Sequence, residues 1–318
     1  MKIKEIYQLA IDTGMEKDPR SKEAVQKNLA KQNQQFAELK EDEKKEFDPD
    51  RLFNPYSDTR ILYGDPEREV AKILAGIDME TGEILLADRL RERGTPVDLV
   101  LAHHPEGKAI AALYRVMKLQ EDVLAAFGVP INVAEGIMAS RISEVKRGLM
   151  PLNHNRAVDA ARILDLPLMC VHTPADNHVN TFLQQLFNEK QPEILGDVVK
   201  LLKDIPEYAE AGKYNAGPEI IVGSKERRAG KIMVDMTGGT GGSEDAYAKL
   251  AVVGVGTLVV MHIGEKHRKE AEKNHVNVVV AGHMASDSLG MNLFLDRLAR
   301  RGVEIIPCAG LLRHERKE

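Results

Sequence analysis

Four times in this chain a short apolar run ends on a histidine: "VDLVLAHHP" at 97–105, "LPLMCVHTPADN" at 166–177, "GVGTLVVMHIGEKH" at 254–267 and "VNVVVAGHMASDS" at 276–288. A continuous run of this length suits a strand buried on both faces, as in a parallel sheet. Upstream of the first run, "AKILAGID" is another strand candidate, ending at Asp78. Between the two, "METGEILLADRLRERG" carries Ile84, Leu85, Ala87 and Leu90 at helical spacing up to Gly94. Strand, helix and strand in that order describe a βαβ unit, whose crossover is right-handed and whose sheet is mainly parallel. Ligands of such sheets gather at the carboxyl ends of the strands, where His103 and His104 stand.

Two of the runs continue as His-x-x-x-Asp, giving His172 with Asp176 and His283 with Asp287. The other two share a glycine-containing entry, an apolar strand and then a histidine. This pattern predicts a weak internal duplication with one unit of each kind per half. A length of 318 residues accommodates about two domains of the usual ~100–200 residues. We expect an α/β fold of two duplicated halves with mixed, largely parallel sheets: a helical N-terminal arm over 1–58, a first half over 59–180 with a helical insertion near 115–160, a linker over 181–218, and a second half over 219–318. The arm has Ile3, Ile6, Leu9 and Ala10 at helical spacing and then a highly charged run, which reads as a solvated helical face.

Imidazole and carboxylate at several converging strand ends make a mixed nitrogen and oxygen donor set, suited to zinc, iron, manganese or cobalt rather than calcium or magnesium alone. Neighbours in extended chain point to opposite sides, so His103 and His104 would serve two adjacent ions more readily than one. Each His-x-x-x-Asp alone has a plainer reading, an aspartate capping a helix. His262 reads as a packed strand-end residue, and His154, His178, His267, His275 and His314 as surface residues. The segment "MVDMTGGTGGSEDAYAKLA" lacks the lysine of a phosphate-binding loop, and its Glu244 and Asp245 would repel an anion, so it reads as a tight turn or a wall of the metal pocket.

Composition narrows the setting. With 44 basic against 49 acidic residues there is no global attraction to nucleic acid, which would need a local basic patch. The opening residues lack the apolar core of a signal peptide and no apolar run nears the roughly 20 residues of a membrane span, so a soluble cytoplasmic protein without membrane contact is expected. Cys170 and Cys308 lie far apart in apolar runs and read as buried, unpaired thiols.

Taken in order, "RILYGDPEREVAKILAGID", "VDLVLAHHP", "HTPAD", "GEKH" and "AGHMASDSLG" resemble the dinuclear-metal-centre hexameric proteins, the NGG-interacting-factor-three-like family, some of whose members carry an old label of GTP cyclohydrolase, type two. The resemblance covers roughly 55–110, 166–180 and 230–312, and omits the arm and 115–160. It implies a two-domain α/β subunit, a toroidal homo-hexamer, and two divalent metal ions in the cleft between the halves. It carries the ligand pattern over to His103, His104, Asp176 and His283, with Asp287 where the family usually has glutamate.

These readings converge on a metal-dependent hydrolase of a small molecule, acting on a phosphoester, nucleotide or cyclic amidine through a metal-bound hydroxide, with Asp176 or Asp287 bridging the ions. Glu265 and Glu106, near two strand ends, are the candidate proton carriers. The alternative is a metal-stabilised hexameric scaffold or regulatory binding protein, in which the ligand shell would be closed.

Overall fold

The computed structural model describes residues 1–316. Nine strands, β1 (Arg60–Tyr63), β2 (Lys72–Gly76), β3 (Leu99–Ala102), β4 (Leu168–Cys170), β5 (Glu219–Val222), β6 (Lys231–Asp235), β7 (Val255–Val260), β8 (Asn277–Val280) and β9 (Glu304–Cys308), form two sheets. The orders are β1-β4-β3-β2-β9 and β5-β8-β7-β6. Apart from β9 the two sheets repeat one plan. The edge strands β1 and β5 are antiparallel to their neighbours, each pairing with a register shift, and the remaining pairs are parallel. The duplicated α/β architecture read from the strand-histidine repeats is the architecture found.

The halves interlock in ways their linear order does not suggest. β9, at the end of the second half, returns to pair in parallel with β2 of the first sheet. Conversely the helices Leu119–Ala126 and Ile131–Leu149, which follow β3, place Val123, Leu124, Ala134 and Met138 against Met233, Leu258 and Val260 of the second sheet. The stretch 181–218 is a helical cover rather than a bare linker: Leu195, Val198, Leu202 and Tyr208 are buried against β6, β7 and β8.

The N-terminal segment is helical, but its first helix is buried rather than solvated. The Ile3–Glu16 helix buries Ile3, Ile6, Tyr7, Ala10 and Ile11 in the core of the first half, beside Ile73 and Leu99. Each fully buried isoleucine contributes about 1.5–3 kcal/mol, so this helix belongs to the domain. Its Gly14 lies against Pro174, where an added Cβ would fall 2.9 Å from the Pro174 backbone. The Lys22–Glu38 helix matches the solvated expectation, with only Val25 buried.

Both thiols are free. Cys170 and Cys308 lie in one row of the sheet, through Ala102 and Gly76, hence three strand spacings or about 14 Å apart, beyond the reach of a disulfide. No helix among the described residues is long and apolar enough to cross a membrane.

Candidate metal centre

The carboxyl edges of the two sheets meet. From the first sheet, β3 leads directly into His103 and His104, and β4 leads through Val171 into His172, after which the Thr173–Lys190 helix presents Asp176. From the second sheet, β8 leads into the His283–Ala299 helix, which presents His283 and, one turn on, Asp287. Residues four apart share a helix face, so the second pair aims both groups at one point. Both aspartates sit inside their helices, past the position from which a side chain can cap the first turn, which removes the capping reading.

The two aspartate-bearing helices pack closely because of Gly290. A Cβ there would stand 2.4 Å from the Ala175 carbonyl oxygen, so only glycine lets the helices approach until Asp176 and Asp287 reach the same space.

All five residues expected as ligands are brought together. His103, Asp176 and Asp287 form one group and His104, His283 and Asp287 another, with Asp287 common to both. His103 Nε2 lies 3.5 Å from Asp176 Oδ1 and 3.5 Å from Asp287 Oδ1, while His104 Nε2 and His283 Nε2 each lie 3.4 Å from Asp287 Oδ2. Tetrahedral ligands about 2.0–2.1 Å from a zinc ion are separated by about 3.4 Å, so these spacings fit such a shell.

Sequence reasoning left out one donor. His172 joins His103 and His104 in a third group, its Nε2 3.7 Å from Asp176 Oδ2. The signal was present, since His172 opens the same His-x-x-x-Asp unit that His283 does. Behind it stands Asp58, fully buried and 114 positions away, whose Oδ2 accepts from His172 Nδ1 at 2.8 Å and from the Thr173 hydroxyl at 2.6 Å. Nothing in the "SDTR" context marked Asp58.

The three imidazoles of the first sheet share one arrangement. Nδ1 of His103 donates to the Val171 carbonyl at 3.1 Å, Nδ1 of His104 donates to Asp78 at 2.7 Å, and Nδ1 of His172 donates to Asp58. Neighbours thus occupy each Nδ1 and leave each Nε2 facing the centre, the way imidazole ligands are held for metals.

The charges agree with a cation site. Burial opposes ionisation of Asp287, but His103, His104 and His283 outweigh it and hold its carboxyl far below the usual carboxylate range. At Asp176 burial prevails over the pull of His103, with help from the Asp287 and Asp58 charges, and the carboxyl is held well above that range. Burial pushes His104 down, yet Asp287 and Asp78 together raise it to about 9. His103 Nε2, Asp176 Oδ1 and both Asp287 oxygens are buried with no hydrogen-bond partner. An unsatisfied buried polar group costs about 1–3 kcal/mol, and more when charged, and divalent cations would satisfy these atoms together. The donor set fits a metal.

The proton-carrier candidates separate. Glu106 lines the cavity next to the cluster, and burial, reinforced by Glu80, raises it to about 7. Glu265 is not brought in: it starts the Glu265–Lys273 helix in solvent, paired with Arg268. His262 is exposed at the cavity mouth, its ring 5.0 Å from that of His283, and it joins none of the ligand groups. His178, expected at the surface, is buried, and burial lowers it to about 3. His267 also faces the cavity rather than open solvent. The glycine-rich loop is a wall of the same cavity, stitched to the helical insertion by Gln120 Nε2, which donates to the Gly238 and Thr240 carbonyls.

Two sheets presenting histidines and a shared carboxylate edge to edge define an α/β protein with a buried candidate metal cluster between duplicated halves. No protein-family model and no curated protein matches the chain. Among solved structures it is similar to a NIF3 superfamily protein from Sphaerobacter thermophilus, at 26% identity and a TM-score of 0.72, over 82% of this chain and 94% of that one. It shares its fold with reduced HcgD from Methanocaldococcus jannaschii, at 17% identity and a TM-score of 0.53, over 82% and 93% of the two chains. This likeness to a NIF3 superfamily structure agrees with the family that the chain's motifs resemble.

Proposed function

We propose that this protein holds two divalent transition-metal ions, zinc, iron or manganese, and hydrolyses a phosphoester, nucleotide or cyclic amidine beside them. The observation that carries this reading is Asp287: its two buried oxygens lack partners, one lying toward His103 and the other toward both His104 and His283. Asp287 is then the shared ligand, with His103, His172 and Asp176 completing one pocket and His104 and His283 the other. Paired ions, when bound, supply Lewis acidity and make water a stronger acid.

The chain's own residues do the remaining tasks. Val171, Asp78 and Asp58 orient the imidazoles. Glu106, on the cavity wall two residues after His104, is placed to pass a proton to a leaving group. Leu113, Val123 and Leu250 line the cavity and keep water from the body of a substrate. A scaffold whose metals only tie the halves together would close its ligand shell. The cluster instead opens into a cavity of about 740 Å³, within the size range of small-molecule sites, which favours catalysis.

The test is elemental analysis followed by a screen of the metal-loaded protein against phosphoesters, nucleotides and cyclic amidines. Turnover should depend on added metal and fall in Glu106→Gln while metal content stays the same. Metal-loaded protein that turns over none of these would favour the scaffold. We further propose the toroidal hexamer as the assembly, in a cytoplasmic protein. Sedimentation equilibrium checks the assembly, and a monomer would refute it.

A further inference from the structure

The metal cluster occupies one end of the cavity, and the remainder is a chamber with its own polar pole. The carboxyl edge of the second sheet forms its floor and the insertion helices 119–126 and 131–149 its roof. Most of the wall is apolar, including Leu124, Val145, Leu250, Leu258 and Val260. Within it two polar side chains face the space without partners: neither the Asp235 carboxylate nor the Tyr247 hydroxyl makes a hydrogen bond or ion pair among the described residues, and Tyr247 is only 6% exposed. Beside them His267 donates from Nε2 to the Gly242 carbonyl at 3.0 Å, which leaves Nδ1 as an acceptor. Tyr247 is buried and Asp235 is half-buried, and a carboxylate without a partner against an apolar wall is costly, so this pole is built for something that arrives.

What arrives is indicated by charge and by register. Six carboxyl groups line the cavity, Asp78, Glu80, Glu106, Asp176, Asp235 and Asp287, against one guanidinium, Arg141. That guanidinium is already engaged by the Gly241 carbonyl and Glu144. Asp235 aligns with Val260 and Val260 with Val280, so Asp235 stands two strand spacings, about 10 Å, from the strand end that leads to His283.

We propose that the chamber binds the body of an organic substrate carrying a basic nitrogen, an amine or amidinium, held by Asp235 and Tyr247 across the apolar wall from the metal centre. Only the placing of the reacting end rests on the metal reading. Burial raises the Asp235 carboxyl to about 6, so it is ionised in mildly alkaline solution and available to a cation. The roof comes from the helical insertion that follows β3.

The test uses chelator-treated protein in mildly alkaline buffer and titrates 4-methylbenzylamine against 4-methylbenzyl alcohol, its uncharged counterpart, by calorimetry. A charge-assisted contact should make the amine bind about tenfold more tightly or better. Asp235→Asn should abolish that preference, and Val145→Trp, which fills the chamber, should abolish binding of both probes, with metal uptake unchanged in each variant. Equal binding of the two probes, a preference that survives Asp235→Asn, or no binding of either to the wild type would overturn the proposal. Wild type that takes up no metal yet prefers the amine sinks the metal reading alone.

Discussion

The two sheets repeat one backbone plan and equip it differently. The row Gly76, Ala102, Cys170 in the first corresponds to Asp235, Val260, Val280 in the second. Two residues past the middle strand the first half has His104 and the second has His262. His104 is anchored through Nδ1 by Asp78 and stands in the donor cluster; the ring nitrogens of His262 make no hydrogen bond among the described residues, and it stays at the mouth. A strand-end histidine joins the donor cluster where a neighbour fixes its tautomer and its direction, and backbone position alone does not suffice. The first half supplies three anchored imidazoles and the second supplies His283 and the shared Asp287. The second half's remaining strand end carries Asp235, which serves the chamber.

This contrast can be broken or sharpened by substitution. Asp287→Asn should act most strongly, because it removes the charge common to both ligand groups, and elemental analysis should find metal retention lost at both positions. Loss of one ion with retention of the other would show that Asp287 is not shared. Gly290→Ala comes next: its Cβ would meet the Ala175 backbone, which cannot move aside as a side chain could. Overpacking of this kind costs about 1–3 kcal/mol, measurable by denaturant unfolding. An unchanged midpoint would mean that the helices have room to separate. The smallest effects form a pair. Asp58→Ala removes the anchor of His172 and should weaken metal binding about 10–100-fold, whereas His262→Gln, at the position equivalent to His104, should leave it unchanged in competition with a chelator. Equal losses in the two variants would erase the distinction between the halves.

Much of this was legible in the chain. Apolar runs ending in histidine locate β3, β4, β7 and β8, and parallel pairing follows from the βαβ order. The His-x-x-x-Asp repeat places both aspartates on helix faces beside the cluster. What stayed hidden depends on contacts distant in sequence. Asp58 and Asp78 are ordinary polar residues until the fold sets them behind His172 and His104. The return of β9 to the first sheet and the packing of the 119–149 helices on the second are tertiary choices with no local mark. His178 shows the limit in reverse: polar neighbours suggested the surface, but the inner face of the Thr173–Lys190 helix buries it. Glu265 lies close in sequence to a strand end, but helix direction carries it into solvent beside Arg268.

The most direct measurement is an anomalous-diffraction map from crystals grown with zinc or manganese. We expect two peaks about 4 Å apart on either side of Asp287, one against His103, His172 and Asp176 and the other against His104 and His283. No peak at Asp287, or a single ion that leaves one of these groups without metal, would contradict a paired centre shared through this carboxylate.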